Sequence, residues 1–315
     1  MSEAQRAVPS CGNLTISASR SLAAVSTALQ PLLDLLDLEP LEVNLFRGRN
    51  HDLGYRRVFG GQVLAQALIA AGRTVETDWP VHSLHAYFIL PGDVQAPIVY
   101  QVDRLRDGGS FTTRRVTAIQ HGRPIFNAAY SFHRVEEGLE HQAPVPEVPG
   151  PDGLPSEAEL ARAAGDLLPE RLRANYAREQ FAEFRPVRPL NPFAPEVREP
   201  VHHVWVRTTA PVPGGLLMQQ AALAYASDYG LLGAALLPHG RSFLQRDLQA
   251  ASLDHALWFH RPFEAHEWLL YTMESPSAAG ALGFTRGTLH TRAGRLVASV
   301  AQEGLIRLVD PAARG

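Results

Sequence analysis

Three polar residues in the second half of the sequence have the side chains needed to activate a water molecule. Asp228 interrupts an otherwise apolar run, Ser252 opens SLDHALWFH, and Gln302 lies within LVASVAQEGLIRL. A carboxylate in apolar surroundings has a raised pKa unless hydrogen-bond donors hold it ionised, and such a group can act as a general base. A hydroxyl and a carboxamide can orient the water that this base deprotonates. The three residues are therefore the candidate catalytic set.

The alternation of residues 296–308 singles out Gln302. One face of the predicted strand carries Leu296, Ala298, Val300, Gln302, Gly304 and Ile306. The opposite face carries Ser299, Glu303 and Arg307, so it is the face nearer water. Gln302 is then the only long polar side chain on the buried face, where a carboxamide costs free energy unless both of its ends are paired.

Each candidate also has a structural explanation. Gln302 could be satisfied by neighbouring backbone, Asp228 could reach solvent or cap the turn near Gly230, and a serine at a strand edge is structural in most cases. The functional interpretation gains weight because an acid, a hydroxyl and an amide come from three different elements of one half of the chain. Together they could hold one water, with Asp228 as base and Ser252 and Gln302 as orienting groups.

The elements that position these residues occur twice. The first half has an apolar helix over VLAQALIAAGRTV, followed by strands predicted at 82–90, 97–107, 110–121 and 124–134. The second half has a helix over 215–237, followed by strands at 248–261, 267–274, 281–291 and 296–308. Landmarks recur at a nearly constant offset, with Pro262 on Pro91 (262 − 91 = 171) and Arg295 on Arg123 (295 − 123 = 172). A helix without a polar face is buried, so each half should be one apolar helix wrapped by a curved antiparallel sheet.

The predicted organisation is an α+β fold with two domains of this kind in tandem. Residues 1–30 form a flexible tail, 31–135 the first domain, 136–180 a linker with a short helix, and 181–310 the second domain with the catalytic residues. The linker is rich in proline, and Ser156-Glu157-Ala158-Glu159 has the pattern of a capping box at a helix start. Additional strands are predicted at 43–46 and 203–207.

The two halves differ at the positions where chemistry is expected. Carrying the offset of 172 forward from Tyr130 reaches Gln302, so the first half has an aromatic ring at this buried position. The first helix has no acid between Val58 and Val75, whereas the second has Asp228. The second half is therefore predicted to carry the chemistry and the first to serve as scaffold and part of the pocket wall.

Five segments in order resemble the acyl-CoA thioesterase II family. They are VFGGQVLAQAL, HSLHAYFILPGD, RLRDGGSFTTRRV, SLDHALWFHRPF and VASVAQEG, and the resemblance covers about residues 31–310. It implies a double hot-dog fold and hydrolysis of medium- to long-chain fatty acyl-CoA to fatty acid and CoA, without a metal or organic cofactor. The family's site has an Asp, a Thr or Ser, and a Gln, which by motif fall on Asp228, Ser252 and Gln302.

Substrate-binding groups are predicted from the same chemistry. Backbone N–H groups at a helix N-terminus can stabilise the oxyanion formed from a thioester, which points to Gly60, Gly61 and Gln62, or to Gly214–Gly215. Arginines could meet the CoA phosphates, although each of them could equally be a solvated surface residue. The candidates are Arg56, Arg57, Arg104 and Arg286.

Composition narrows the class of protein. The 315 residues have a net charge of −3, which gives no reason to expect nucleic acid or an anionic membrane as partner. The single cysteine, Cys11, excludes an intramolecular disulfide and favours a reducing, cytoplasmic compartment. Strand edges left by such sheets favour a homodimer or a higher homo-oligomer.

Other chemistries find less support in the sequence. No Gly-x-Ser-x-Gly nucleophile motif occurs, and the histidines lack metal-ligand spacing. Two alternatives stay open, a hydratase of the same fold and a non-catalytic acyl-CoA binding protein. A hydratase would need a His–Asp pair beside the thioester, and Asp254-His255 is the only adjacent pair. Those two side chains point to opposite faces of a strand.

Overall fold

Five α-helices and thirteen strands are found in the computed structural model, which describes residues 27–51, 53–54, 57–76, 79–176 and 180–310. The helices are α1 (Gln30–Leu36), α2 (Gly60–Gly72), α3 (Glu157–Ala164), α4 (Glu170–Tyr176) and α5 (Gly215–Ser227). The strands are β1 (Glu39–Glu42), β2 (Leu45–Gly48), β3 (Val81–Phe88), β4 (Ile98–Asp107), β5 (Phe111–Gln120), β6 (Arg123–His133), β7 (Ala182–Pro186), β8 (Val201–Thr208), β9 (Leu248–Ser252), β10 (Asp254–Phe259), β11 (Leu269–Ala279), β12 (Leu282–Thr291) and β13 (Leu296–Leu308). Short 3-10 helices cover Gly165–Leu167 and Leu231–His239.

One antiparallel sheet joins the two halves of the chain. Its strand order is β1-β2-β4-β5-β6-β3-β10-β13-β12-β11-β8-β7, with β9 pairing onto β13. The halves meet where β3 pairs with β10, and His85 lies opposite Ala256 at the centre of this junction. Since 256 − 85 = 171, the junction lies on the approximate twofold axis that relates the repeats.

The two long helices lie side by side beneath this sheet. α2 packs on α5 and also contacts the strands β4, β5 and β6 of its own half. Every residue of α2 from Gly61 to Ala71 is buried, as expected for a helix without a polar face. The core is thus organised around the helix pair, and the prediction of two buried apolar helices is confirmed.

The sequence prediction missed the end of the second helix. α5 ends at Ser227 instead of reaching residue 237, because Gly230 takes a left-handed conformation with φ of 75°. The chain then continues as the 3-10 helix Leu231–His239, which packs on β11, β12 and β13. Asp228 is consequently at a helix terminus rather than inside a helix, and its side chain can turn toward α2.

Two strand predictions also need correction. The run 248–261 is divided into β9 and β10 at Leu253, so Ser252 ends one strand rather than opening a longer one. In the predicted strand 43–46 only its last two residues belong to β2, because Asn44 has φ of 60° and forms a turn. The runs predicted for β3 to β6 agree with the structure to within two residues, and 296–308 coincides with β13.

Strand register confirms the correspondence between Tyr130 and Gln302. Arg114 pairs with Tyr130 in the first half, and Thr285 pairs with Gln302 in the second. The strands β4 and β11 begin 171 residues apart (269 − 98), whereas α2 and α5 begin only 155 apart (215 − 60). The second half therefore contains about sixteen additional residues (171 − 155). They lie in the segment between α5 and β10, which holds the 3-10 helix Leu231–His239, the following loop and β9.

The linker and the tail follow the predicted plan in part. Ser156 and Glu159 form a reciprocal capping box that starts α3. The predicted tail, residues 1–30, falls mostly outside the described residues. Ala28 and Leu29 are nevertheless buried and lead into α1, so the packed chain begins before the predicted boundary at residue 31. The other domain boundaries stay predictions.

Candidate active site

Asp228 lies where the C-terminus of α5 meets the N-terminus of α2. Its Oδ2 accepts a hydrogen bond of 2.9 Å from the backbone N–H of Gly61. Its Oδ1 accepts one of 2.7 Å from Gln302 Nε2. The carboxylate therefore joins three elements, and one of its two donors comes from the first half of the chain. The structural alternative in which Asp228 reaches solvent is excluded, because its side chain is only 6% exposed.

The surroundings of Asp228 raise the proton affinity of its carboxylate. Burial raises the pKa of Asp228 from 3.8 to about 6, while the hydrogen bonds from Gln302 and Gly61 oppose this shift. The positive end of the α2 dipole also favours the ionised form. A carboxylate with a pKa near neutrality can hold a proton transiently and release it again, as base catalysis requires.

Gln302 is buried on β13, as its alternation predicts. Its Nε2 is committed to Asp228, so the explanation that backbone alone satisfies this side chain is wrong. Its backbone carbonyl accepts a hydrogen bond of 3.1 Å from Thr285 Oγ1. The side-chain Oε1 is buried without a hydrogen-bond partner among the described residues. This unpaired acceptor next to Asp228 can accept a hydrogen bond from a water bound at the carboxylate.

Ser252 and Asp228 line the same cavity, which has a volume of about 450 Å³. Ser252 ends β9 and pairs with Gly304 of β13, two residues from Gln302. The remaining wall is mostly apolar and comes from both halves of the chain. It includes Val58, Phe59, Gly60, Val63, Phe88, Leu90, Phe126, Leu232, Phe243 and Leu253. Two of the three residues predicted from the sequence thus line one pocket, and Gln302 lies behind Asp228, to which it is hydrogen-bonded.

His255 is a neighbour of Asp228 that the sequence interpretation missed. Its Nε2 lies 2.9 Å from Ser227 Oγ, and its Nδ1 lies 3.9 Å from Asp228 Oδ1. Burial lowers the pKa of His255 to about 3, so the imidazole is neutral. The sequence paired His255 with the adjacent Asp254, but Asp254 Oδ1 instead accepts a hydrogen bond from the Glu303 N–H. The signal that could have found this contact is the alternation of β10, which places His255 on the buried face.

The predicted oxyanion donors do not all remain available. Gly61 N–H is engaged with Asp228, and Gln62 N–H donates to the Phe59 carbonyl. The Gln62 side chain binds Asn50 Oδ1 and the His51 N–H. Gly60 lines the cavity, and its N–H has no acceptor within the described part of the chain. Gly60 is therefore the group of the three that can serve this role.

Two other predicted positions lie elsewhere. Gly214 and Gly215 are at the start of α5, about 20 Å from Asp228 along a helix that rises 1.5 Å per residue. Arg286 is half-exposed and paired with Glu274, and its neighbour Thr285 is the residue on the buried face. Gly214–Gly215 is too far from Asp228 to supply the oxyanion donors, which corrects that prediction. Arg286 does not line the cavity, and its role in CoA binding stays a prediction.

The remaining arginines separate into three cases. Arg57 lines the Asp228 cavity and stays a candidate for the phosphates. Arg104 is paired with Glu76 and bonds Asn44, away from this cavity. Arg56 lies outside the described residues. Within the ranges that the structure describes, no three His, Cys, Asp or Glu side chains form a potential metal site. No helix of those ranges is long and apolar enough to cross a membrane.

The fold and the site define a class of protein. Two buried helices packed side by side against one antiparallel sheet are the architecture of a double hot-dog protein. A solved hot-dog protein from Alicyclobacillus acidocaldarius shares this fold with a TM-score of 0.71 at 21% identity, covering 88% of this chain and 98% of its own. The family models for an acyl-CoA thioesterase and for an acyl-CoA thioesterase N-terminal domain match residues 172–305 and 47–133.

Close relatives assign the family. Acyl-CoA thioesterase 2 of Haemophilus influenzae is 41% identical over 286 residues, which cover 91% of this chain and 100% of the relative. The crystal structure of an acyl-CoA thioesterase II from Mycobacterium marinum is 40% identical with a TM-score of 0.71, covering 89% of this chain and 98% of that one. The chain belongs to the acyl-CoA thioesterase II family, and the resemblance stated from its motifs is confirmed.

Proposed function

We propose that this protein hydrolyses medium- to long-chain fatty acyl-CoA to fatty acid and CoA, with Asp228 as general base and Ser252 and Gln302 orienting the water. The observation that carries the proposal is the buried Asp228 carboxylate, bonded by Gln302 Nε2 and Gly61 N–H at the wall of an apolar cavity. Family membership supports the reaction type, and the geometry supports the assignment of roles.

The hydrolysis needs one oriented water. A water bound at Asp228 would donate one hydrogen bond to the carboxylate and the other to the unpaired Gln302 Oε1. The Ser252 hydroxyl can donate to the water oxygen from the neighbouring wall, which leaves an oxygen lone pair for attack. As the oxygen attacks the thioester carbonyl, Asp228 takes the proton and the carbonyl oxygen becomes an oxyanion.

The N-terminus of α2 can stabilise the oxyanion. Gly60 N–H and the dipole of this helix face the cavity, and neither requires reorganisation during the reaction. Collapse of the tetrahedral intermediate breaks the carbon–sulfur bond, and protonated Asp228 then returns its proton to the CoA thiolate. The products are the fatty acid and the CoA thiol, so atoms and charges balance without another reactant.

Replacing the acid or the amide tests the proposal. Asp228→Asn and Gln302→Ala should each lower kcat for decanoyl-CoA by about 100- to 10,000-fold, because the water is then neither deprotonated nor held. Thiol release is followed with a colourimetric reagent, and circular dichroism checks that the variants remain folded. Asp103→Asn is the matched control, since Asp103 pairs with Arg115 at an exposed site. Undiminished hydrolysis in both site variants would exclude this mechanism.

Ser252 is tested by two variants. Ser252→Ala should lower kcat by about tenfold, the size expected for one lost hydrogen bond. Ser252→Thr should retain activity because it keeps the hydroxyl. Equal activity in the alanine and serine enzymes would show that the hydroxyl takes no part in orienting the water.

A hydratase is the second candidate function, and the contact between His255 and Asp228 is the observation that favours it. His255 is, however, fully buried, and its Nε2 lies 2.9 Å from Ser227 Oγ, which leaves only Nδ1, at 3.9 Å from Asp228 Oδ1. Hydration of decenoyl-CoA, followed by loss of enoyl absorbance, distinguishes the two reactions from each other. Binding without either reaction would identify an acyl-CoA binding protein instead.

We also propose that the protein is a homo-oligomer of the cytoplasm. The end strands β1 and β7 each have one edge that pairs with no other strand of the described chain, which supports pairing between copies. Light scattering would give a mass well above the 34.5 kDa of one chain if this is correct.

A further inference from the structure

A second apolar cavity lies along the 3-10 helix Leu231–His239. Its volume is about 520 Å³, similar to the 450 Å³ of the Asp228 cavity. Its wall includes Leu172 of α4, Leu190, and Leu236 and Leu237 of the 3-10 helix. Ligand pockets typically have volumes of about 300–1,000 Å³ and mainly apolar linings, so this cavity has the size and character of a binding site.

Phe243 is part of the wall of both cavities. Its side chain is 52% exposed although it is a large apolar residue, so it is loosely packed. Leu232 lines the Asp228 cavity and the next residue, Gly233, lines the second cavity. A Cβ at Gly233 would lie 3.5 Å from the Phe243 ring, so the ring rests close to this backbone. The two cavities are adjacent, and one aromatic side chain separates them.

Two residues that precede α2 also border the cavities. Gly54 lines the second cavity and Arg57 lines the Asp228 cavity. The 3-10 helix and Phe243 lie in the segment between α5 and β10, which also supplies Ser252.

The apolar lining of the second cavity favours a hydrocarbon occupant, because burying hydrocarbon against it gains free energy. Of the arginines at its wall, Arg198 and Arg241 are ion-paired with Glu196 and Asp247, and such pairs offer little attraction to a further anion. Arg171 also lines the cavity and forms no ion pair with a described residue.

We propose that this second cavity holds the distal part of a long acyl chain whose thioester lies beside Asp228, and that Phe243 forms the boundary between medium and long chains. Medium chains fill the Asp228 cavity alone. Long chains displace the Phe243 ring and continue into the space between α4 and the 3-10 helix. This inference rests on the proposed function, and it deepens it by assigning the residues that determine chain length.

Two variants of the full chain test the inference in opposite directions. Phe243→Ala removes the boundary and should raise the ratio of kcat/KM for hexadecanoyl-CoA to that for octanoyl-CoA about tenfold. Leu190→Trp fills the second cavity from a position that is 40% exposed, so the core is undisturbed, and it should lower the same ratio about tenfold. Leu105→Trp is the matched control on a distant strand, where the side chain is 53% exposed, and should leave the ratio unchanged.

A binding measurement separates this inference from the hydrolytic mechanism. The thioethers S-octyl-CoA and S-hexadecyl-CoA cannot be hydrolysed, and calorimetric titration gives their Kd for each variant. Leu190→Trp should weaken the hexadecyl ligand about tenfold and leave the octyl ligand unchanged. If the unaltered protein hydrolyses no acyl-CoA, the proposed function fails while this titration still decides the binding site. The inference is overturned if both variants keep the kcat/KM ratio and the Kd values of the unaltered protein.

Discussion

At the scale of single residues, burying Asp228 lowers the stability of the folded protein. Burial raises the pKa of Asp228 from 3.8 to about 6, so the folded protein holds this proton over a pH range in which the unfolded chain has released it. A group with a raised pKa destabilises the folded state as pH rises through that range. The raised pKa that lowers stability also gives Asp228 a proton affinity that suits base catalysis near neutrality.

This cost can be measured with Asp228→Asn. The shift is about 2 pKa units, and each unit corresponds to about 1.4 kcal/mol. The free energy of unfolding of the unaltered protein should therefore fall by about 3 kcal/mol relative to the variant between about pH 4 and pH 8. Urea denaturation of both proteins across this range checks the prediction. A difference that does not change with pH would show that the carboxylate is ionised in both the folded and unfolded states throughout.

The sequence singled out Asp228 and Gln302, which a hydrogen bond joins in the structure, but not the other neighbours of Asp228. Alternation placed Gln302 on the buried face, and its replacement by Tyr130 in the sister strand is confirmed by register. The bond from Gly61 N–H could not be predicted, because backbone groups have no side-chain signature and the contact spans 167 residues. His255 was missed for a similar reason, since its partner lies on another element.

At the scale of elements, the approach of α2 to α5 depends on Gly60. A Cβ at this position would lie 2.6 Å from Asp228 Oδ2 and 2.9 Å from the Phe88 ring. No real Cβ contact is so short, so the carboxylate or the helix must move. The N-terminus of α2 can reach Asp228 because Gly60 has no side chain and because Gly61 has none either, since a Cβ at Gly61 would lie 2.3 Å from the Tyr225 carbonyl oxygen of α5.

Gly60→Ala should therefore lower kcat by about 100-fold while leaving the rest of the fold intact, because a shift of about 1 Å at the reacting groups has an effect of this size. Gly109→Ala is the control, since a Cβ there meets nothing within 4 Å. Thiol release and thermal melting are measured on both variants. Full activity of the Gly60 variant would mean that the two helices are not held at this separation during catalysis.

Element ends were the least predictable part of the fold. Period-2 patterns predicted β3 to β6 and β13 closely, since one face of each strand is buried. The helix predicted over 215–237 breaks after Ser227, although its apolar composition continues through Leu237. Composition reports burial in both segments, whereas the break is set by the left-handed backbone at Gly230. Apolar periodicity alone cannot distinguish an α-helix from a 3-10 helix that follows it.

At the scale of the whole molecule, the two halves form one structural unit. β3 and β10 make the sheet continuous, α2 packs on α5, and Gln220 of α5 donates a hydrogen bond to the Val81 carbonyl of the first half. Exposing either half would leave the apolar faces of both helices in water. The tandem repeat seen in the sequence is therefore not a pair of independent domains.

Thermal unfolding should accordingly show a single transition. Calorimetry should give a van't Hoff enthalpy equal to the calorimetric enthalpy, because neither half is stable without the other. The separate second half, residues 136–315, should lack hydrolytic activity even though it contains Asp228, Ser252 and Gln302, the proposed catalytic residues, since it lacks Gly60 and Gly61. Two resolved transitions, or an active second half, would contradict this picture.

The hydrogen bond from Gly61 to Asp228 also constrains how the two halves of the gene can change. It links residues 167 positions apart, so the effect of a substitution near one residue depends on the sequence near the other. Recombination between related genes within the linker would combine the Asp228 segment of one parent with the Gly61 segment of another. Such chimeras should be active only when their two halves approach each other at the same separation as in the parents. The two halves of a fused duplication are therefore expected to evolve as one gene.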